Sequence, residues 1–103
     1  MSNSNLFQPI QIGDLNLRHR VVLAPLTRLR ANQDHVPTDI VTTYYEQRSR
    51  TKGTLLISEA SLISAAAGGL PHAPHVETDT QLDAWKKVIR LSHFRESSLT
   101  YSL

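Results

Sequence analysis

The chain has 103 residues, a net charge of +2 with histidines neutral, 40% hydrophobic and 19% charged residues, and no cysteine. That length fits one small domain, and the composition excludes a charge-rich disordered chain. Without cysteine there are no disulfides, thiolate metal sites or cysteine nucleophiles, and no apolar run approaches the ~18 residues of a membrane helix.

The opening "MSNSNLFQPIQ" lacks a positive stretch leading into an apolar core, so no signal peptide is expected. With the missing cysteines this points to an intracellular, cytoplasmic protein. In "IQIGDLNL", Ile10 and Ile12 alternate with polar residues, Gly13-Asp14 punctuates, and Leu15 and Leu17 alternate again. The pattern predicts a β-hairpin, half-buried on each arm. Val21 to Ala24 is an unbroken apolar run, as expected of a strand covered on both faces in a parallel sheet. "TRLRANQDHVP" is polar and irregular, a loop.

"PTDIVTTYYEQRSRTKG" reads as a helix. Thr38 is the expected N-cap, and Asp39 complements the positive end of the helix dipole. Ile40, Val41, Tyr44, Tyr45 and Arg48 fall on one face. Arg50 and Lys52 lie near the expected end, with Gly53 just past it. Leu55 to Ile57 forms a second short buried strand, completing a βαβ unit with right-handed crossover. In such sheets functional residues gather beyond the carboxyl ends of the strands, here Pro25 to Arg28 and Ser58 to Ser61.

"SAAAGGLPHAPHVE" is a long loop. A second helix is expected from Thr78 or Thr80, with Leu82, Trp85, Val88 and Ile89 on its apolar face. From Arg90, "RLSHFRESSLTYSL" shows no clean period and is expected to be a disordered or frayed tail. Two parallel strands and two helices leave strand edges unpaired, so the pattern is expected to be the beginning of something larger.

Several groupings could carry chemistry. "APLTR" offers backbone amides and the Thr27 hydroxyl to a flat polar ring, or it is an ordinary turn in which Thr27 caps locally. Glu59 in "SEA" could be a base, a buried partner for an arginine, or a solvated carboxylate; no second placed carboxylate accompanies it. His72 and His75 lack a further ligand cluster and read as residues of a solvent-exposed loop rather than a zinc site. "RHR", "RLR" and "RSR" could form a phosphate or nucleic-acid patch, but the low net charge favours plain surface charge. There is no GxGxxG, no GxxxxGK[ST] and no GxSxG.

"LFQPIQIGDLNLRHRVVLAPLTRLRA", "YYEQRS", "ISEASLIS", the "GG" pair and "AW", in this order and spacing, resemble the N-terminal part of the old yellow enzyme family. These are FMN-dependent NAD(P)H:flavin oxidoreductases, also called ene-reductases, and the resemblance covers about residues 6 to 89. It implies an α/β fold, the N-terminal portion of a (β/α)8 TIM barrel with a β-hairpin lid. Such a barrel needs ~250 residues, so the chain is expected to be truncated after about two β/α units. The resemblance implies main-chain contacts of Pro25 and Leu26 with the isoalloxazine ring. It also implies a hydrogen bond from the Thr27 hydroxyl near the flavin O4, and Ala60 against the pyrimidine side. A donor on that carbonyl stabilises the reduced ring.

The implied reaction passes hydride from NAD(P)H through the flavin to the β-carbon of an activated alkene such as an enone, with no nucleic-acid or membrane partner. The family's third-strand glutamine, its His/Asn or His/His pair, its tyrosine proton donor and its flavin-side arginines would all lie beyond the end of this chain. No catalytic residue and no metal site are therefore expected within it. Leu70 also departs from the aromatic residue often found after the GG pair. The resemblance ends at Arg90, dividing the chain into a barrel part, residues 1–89, and a non-family tail, residues 90–103, and implies a truncated product inactive by itself. Two other readings are a non-catalytic barrel remnant and a small basic nucleic-acid-binding protein.

Overall fold

The computed structural model of the chain describes residues 4–94 and 98–102. The hairpin forms as the alternation predicts, with β1 (Ile10–Ile12) antiparallel to β2 (Leu15–Leu17) and Ile12 opposite Leu15. Gly13 takes φ +57, the left-handed turn position that glycine occupies without a Cβ penalty. Leu17 is buried, whereas Ile12 is exposed, so only the second arm buries a side chain fully.

A parallel sheet follows. β3 (Val22–Leu23) pairs with β4 (Leu55–Ala60), and β4 pairs with β5 (Ser98–Ser102), giving the order β3-β4-β5. Helix α1 (Asp39–Arg48) joins β3 to β4, and α2 (Asp79–Phe94) joins β4 to β5. The described residues thus form an open α/β sheet rather than a closed barrel. β3 is shorter than the apolar run Val21 to Ala24, and both Val21 and Val22 are exposed. The run is of the buried type, but one side of β3 has no neighbour among the described residues.

Both helices pack together over the sheet. Val41 and Tyr45 of α1 and Trp85 and Val88 of α2 make the core cluster, joined by Leu23, Tyr44 and Val76. Leu56 is fully buried beneath them. Ile40 and Arg48, expected on the same face of α1, are exposed instead.

Thr38 is the N-cap residue of α1, but its hydroxyl caps nothing. It donates to the Arg30 carbonyl at 2.8 Å and ties the preceding loop to the helix start. α1 also stops sooner than expected. Ser49 is the C-cap, and its hydroxyl donates back to the Glu46 carbonyl at 2.7 Å. Arg50 to Lys52 therefore lie in the turn rather than in the helix. Gly53 makes that turn with φ +75, where a Cβ would sit 2.5 Å from Arg18 Cγ and 2.9 Å from the Arg18 backbone nitrogen.

α2 starts with a capping box. The Thr78 hydroxyl accepts the Gln81 amide at 3.2 Å, and Gln81 Oε1 accepts the Thr78 and Glu77 amides at 3.0 and 2.9 Å. The expected irregular tail from Arg90 is corrected here. α2 runs through Arg90 to Phe94, and Ser98–Ser102 forms the third parallel strand. The buried stripe Trp85, Val88, Ser92 keeps helical spacing, but the serine in it hides the apolar period. β5 is short and rich in serine, and its ladder with β4 is made by backbone groups. The part of the expected tail at 95–97 and 103 lies outside the described residues. The third parallel strand is thus within the chain, and it carries no glutamine. No helix among the described residues is long and apolar enough to cross a membrane.

Candidate functional site

Parallel pairing of β3 with β4 brings their carboxyl ends side by side, where open α/β sheets place their ligands. The segment after β3 carries Pro25, Leu26 and Thr27, and β4 ends on Ala60; all four are exposed. Pro25 has no amide hydrogen. The amides of Leu26 and Thr27, and the Thr27 hydroxyl, have no hydrogen-bond partner among the described residues. Thr27 is therefore not a local cap. The Ser61 hydroxyl, one residue beyond Ala60, is buried and also lacks a partner among the described residues.

The next turn is held tightly. The Arg28 amide donates to Glu59 Oε2 at 3.0 Å. Leu29 adopts φ +55, a left-handed conformation costing a non-glycine residue ~1 kcal/mol or more. Arg30 Nη1 donates to the Arg28 and Leu29 carbonyls at 2.9 and 3.4 Å, and Thr38 holds the Arg30 carbonyl. The Ala31 amide donates to the His72 carbonyl at 3.0 Å.

Glu59 is the centre of this arrangement. It is 1% exposed, so it is not a solvated carboxylate, and its oxygen is engaged by a main-chain amide. Its own amide donates to the Tyr45 hydroxyl oxygen at 2.8 Å. Burial pushes the Glu59 carboxyl above its ordinary value, while the Arg28 amide and guanidinium pull it back. Burial likewise pushes the Tyr45 hydroxyl up, well clear of neutrality, so it stays protonated while it accepts the Glu59 amide. The Tyr44 ring lies under two guanidinium groups, Arg48 at 4.0 Å and Arg28 at 5.5 Å. Arg28, Arg30, Ile40, Val41, Tyr44 and Glu59 enclose a cavity of about 140 Å³ behind the turn.

The other sequence candidates fall elsewhere. Arg20 donates to the Gln8 and Pro9 carbonyls beside the hairpin, so the three basic triplets serve different parts of the fold. His72 Nδ1 pairs with the Ala31 carbonyl at 2.9 Å. His75, expected in a solvent-exposed loop, is instead buried and stacks on His35, ring centroids 3.8 Å apart and nearly parallel. His35 carried no signal in the sequence, because its partner is 40 positions away. Among the described residues no three metal-capable side chains come together.

The exposed residues are of the kinds that a flat conjugated ring can lie against. Pro25 and Ala60 are small and apolar, and the Leu26 and Thr27 amides with the Thr27 hydroxyl can meet acceptors on a ring edge. The orphaned Ser61 hydroxyl adds a polar group beside that surface.

A family model described as NADH:flavin oxidoreductase / NADH oxidase matches residues 5–100. The chain is 44% identical over 100 residues to an NADP-dependent oxidoreductase of Aspergillus flavus, covering 97% of this chain and 26% of that protein. It is 44% identical over 103 residues to an Epichloe festucae var. lolii protein named "Probable inactive reductase", covering all of this chain and 27% of that one. The fold superposes on the crystal structure of old yellow enzyme from Pichia sp. AKU4542 with a TM-score of 0.92 at 38% identity, covering 96% of this chain and 26% of that one. The chain thus spans about a quarter of the length of these relatives.

Proposed function

The chain belongs to the NADH:flavin oxidoreductase / NADH oxidase family, and on that premise we propose that it carries the flavin-facing start of an FMN-dependent, NAD(P)H-oxidising reductase of old yellow enzyme type. The observation that carries this reading is the meeting of Leu26 and Thr27 donors, without partners among the described residues, with Ala60 at the carboxyl ends of β3 and β4. Pro25 and Leu26 would lie along the isoalloxazine ring, the Thr27 hydroxyl would donate to its carbonyl edge, and Ala60 would leave room for the pyrimidine side. Bound FMN supplies hydride transfer from NAD(P)H to the β-carbon of an activated alkene such as an enone. The residues described here bind and orient the ring. A donor at Thr27 favours the reduced, electron-rich form. A cytoplasmic location belongs to the same reading, supported by the cysteine-free sequence.

Titrating the 103-residue chain with FMN, followed by flavin fluorescence and absorbance, tests the proposal. Saturable micromolar binding that Thr27→Ala weakens supports it; no saturable binding overturns it for this chain. A second reading, a non-catalytic flavin-binding remnant, draws support from the relative named an inactive reductase. An FMN-loaded chain that fails to oxidise NADPH in the presence of an enone would select it.

A further inference from the structure

The geometry points to Glu59 as a positioning residue: its buried side chain latches the Arg28 main-chain amide and so holds Pro25–Thr27 in the path that faces the cofactor. Its link to the flavin rests on the function proposed above. The latch itself is a property of the chain.

Three observations meet here. The turn beyond Thr27 contains a non-glycine residue at positive φ, Leu29, a conformation that persists only where surrounding contacts over-determine it. Two of the holds on that turn are local to it or to the adjoining helix start, namely the Arg30 guanidinium on its own neighbours and the Thr38 hydroxyl. Glu59 differs because it comes from β4, the strand that ends on Ala60. One hydrogen bond therefore joins the two halves of the exposed surface, the segment after β3 and the end of β4.

The latch is anchored in turn. The Glu59 amide is fixed by the Tyr45 hydroxyl at 2.8 Å, and Tyr45 is itself core. Position thus passes from the α1/α2 core through Glu59 to the ring-facing segment. A role for Glu59 as acid or base would need a reacting atom within reach; at 1% exposure with Oε2 on a main-chain amide, the residue is placed instead to hold the turn. The charged and titratable groups facing Glu59 are Arg28 and Arg30 from the turn and Tyr44 and Tyr45 from α1.

The test compares Glu59→Met, which keeps bulk and removes the acceptor, with Glu59→Gln, which keeps an acceptor oxygen and removes the charge. Amide hydrogen exchange of the full 103-residue chain is read at Arg28, with Leu56 and Ile57 as controls. The latch predicts that Glu59→Met speeds Arg28 exchange about tenfold or more, the scale of a lost hydrogen bond to a charged group, while the controls hold. Glu59→Gln should stay within about threefold of the parent, as its carboxamide oxygen replaces the acceptor. FMN affinity and the visible flavin spectrum should follow the same order, weakened and shifted in Glu59→Met and restored in Glu59→Gln.

Unchanged Arg28 exchange in Glu59→Met overturns the latch. Changed exchange with unchanged FMN affinity and spectrum overturns its role at the flavin. A parent chain that binds no FMN overturns the functional reading, and the Arg28 exchange still decides the latch. If Glu59→Met fails to fold, Glu59→Gln decides alone. The Arg28 amide shift of the parent should move with acid titration of Glu59 and that of Glu59→Gln should not; the same acid shift in both overturns the latch.

Discussion

The carboxyl ends of β3 and β4 and the outer edge of β3 belong to one small sheet and are built in opposite ways. At the carboxyl ends the chain spends polar contacts freely. The Glu59 carboxylate, the Arg30 guanidinium, the Thr38 hydroxyl and the His72 carbonyl all hold one turn, and that turn contains a left-handed leucine. Apart from Leu26, the exposed positions beyond the strand ends, Pro25, Thr27 and Ala60, are small or polar. At the outer edge, Phe7 is 70% exposed and Val21 46%, and they line an apolar groove with Val22, Leu23 and Thr54. That surface is tied down too, by Arg20 on the hairpin, by a 2.8 Å hydrogen bond between His19 and the Thr54 hydroxyl, and by the Arg18 amide on the Gly53 carbonyl, but it turns apolar side chains outward rather than free donors. The first region presents donors; the second presents apolar area and a strand edge unpaired among the described residues, the combination that favours association. Donors without a partner among the described residues, rather than exposure alone, mark the candidate site.

The largest effect should come from the core both regions share. Trp85→Ala should cost ~3–5 kcal/mol and remove cooperative urea unfolding followed by far-UV circular dichroism. Retained folding with both regions ordered would show that they do not depend on the α1/α2 core.

Gly53→Ala should break the edge region while sparing the site. The substitution meets φ +75 and a Cβ position 2.5 Å from Arg18 Cγ, so a loss above ~1 kcal/mol is expected. Urea denaturation measures it, and Arg28 exchange should keep its protection under native conditions.

Much of the contrast between these regions was legible in the sequence, and what was not has a physical reason. Gly13-Asp14 announced the hairpin, Thr38 and Thr78 marked the helix starts, and the run before Pro25 placed the carboxyl end of β3. The end of α1 was set by a Ser49 back-bond rather than by the expected glycine. α2 beyond Arg90 was hidden by Ser92, a serine in a buried stripe, and β5 by its polar composition. The Glu59–Arg28 contact spans 31 positions and the His35–His75 stack 40, and no local period encodes either.

Thr27→Ala sharpens the site half of the comparison. It should weaken FMN binding about tenfold, the scale of one hydrogen bond, with Tm unchanged because that hydroxyl has no partner among the described residues.

A pH effect should be smaller and has a definite sign. Burial and the stacked His35 hold the His75 imidazole below its ordinary value of 6.5, with Glu77 pulling the other way. A histidine depressed in the folded state contributes stability above pH 6.5 that is lost as pH falls through its folded value. Glu59, raised by burial, works oppositely: its contribution is present at low pH and is lost as pH rises through its folded value. Comparing Tm at pH 7.5 and 5 in the parent and in His75→Gln isolates the histidine, and the variant should lose less stability on acidification.

The smallest change in stability is expected at the open edge. Val22→Lys should alter unfolding free energy by no more than ~0.5 kcal/mol while lowering aggregation measured by light scattering. A large stability loss there would show that the Val22 side chain packs more tightly than its 37% exposure implies.

The most direct measurement is a two-dimensional amide NMR titration of the 15N-labelled chain with FMN. The account predicts saturable shifts confined to Leu26, Thr27, Arg28 and Ala60, at the carboxyl ends of β3 and β4. Shifts centred on Phe7, Val21 and Val22 would mean that flavin merely occupies the apolar groove, and together with silence at Thr27 and Ala60 they would contradict the account.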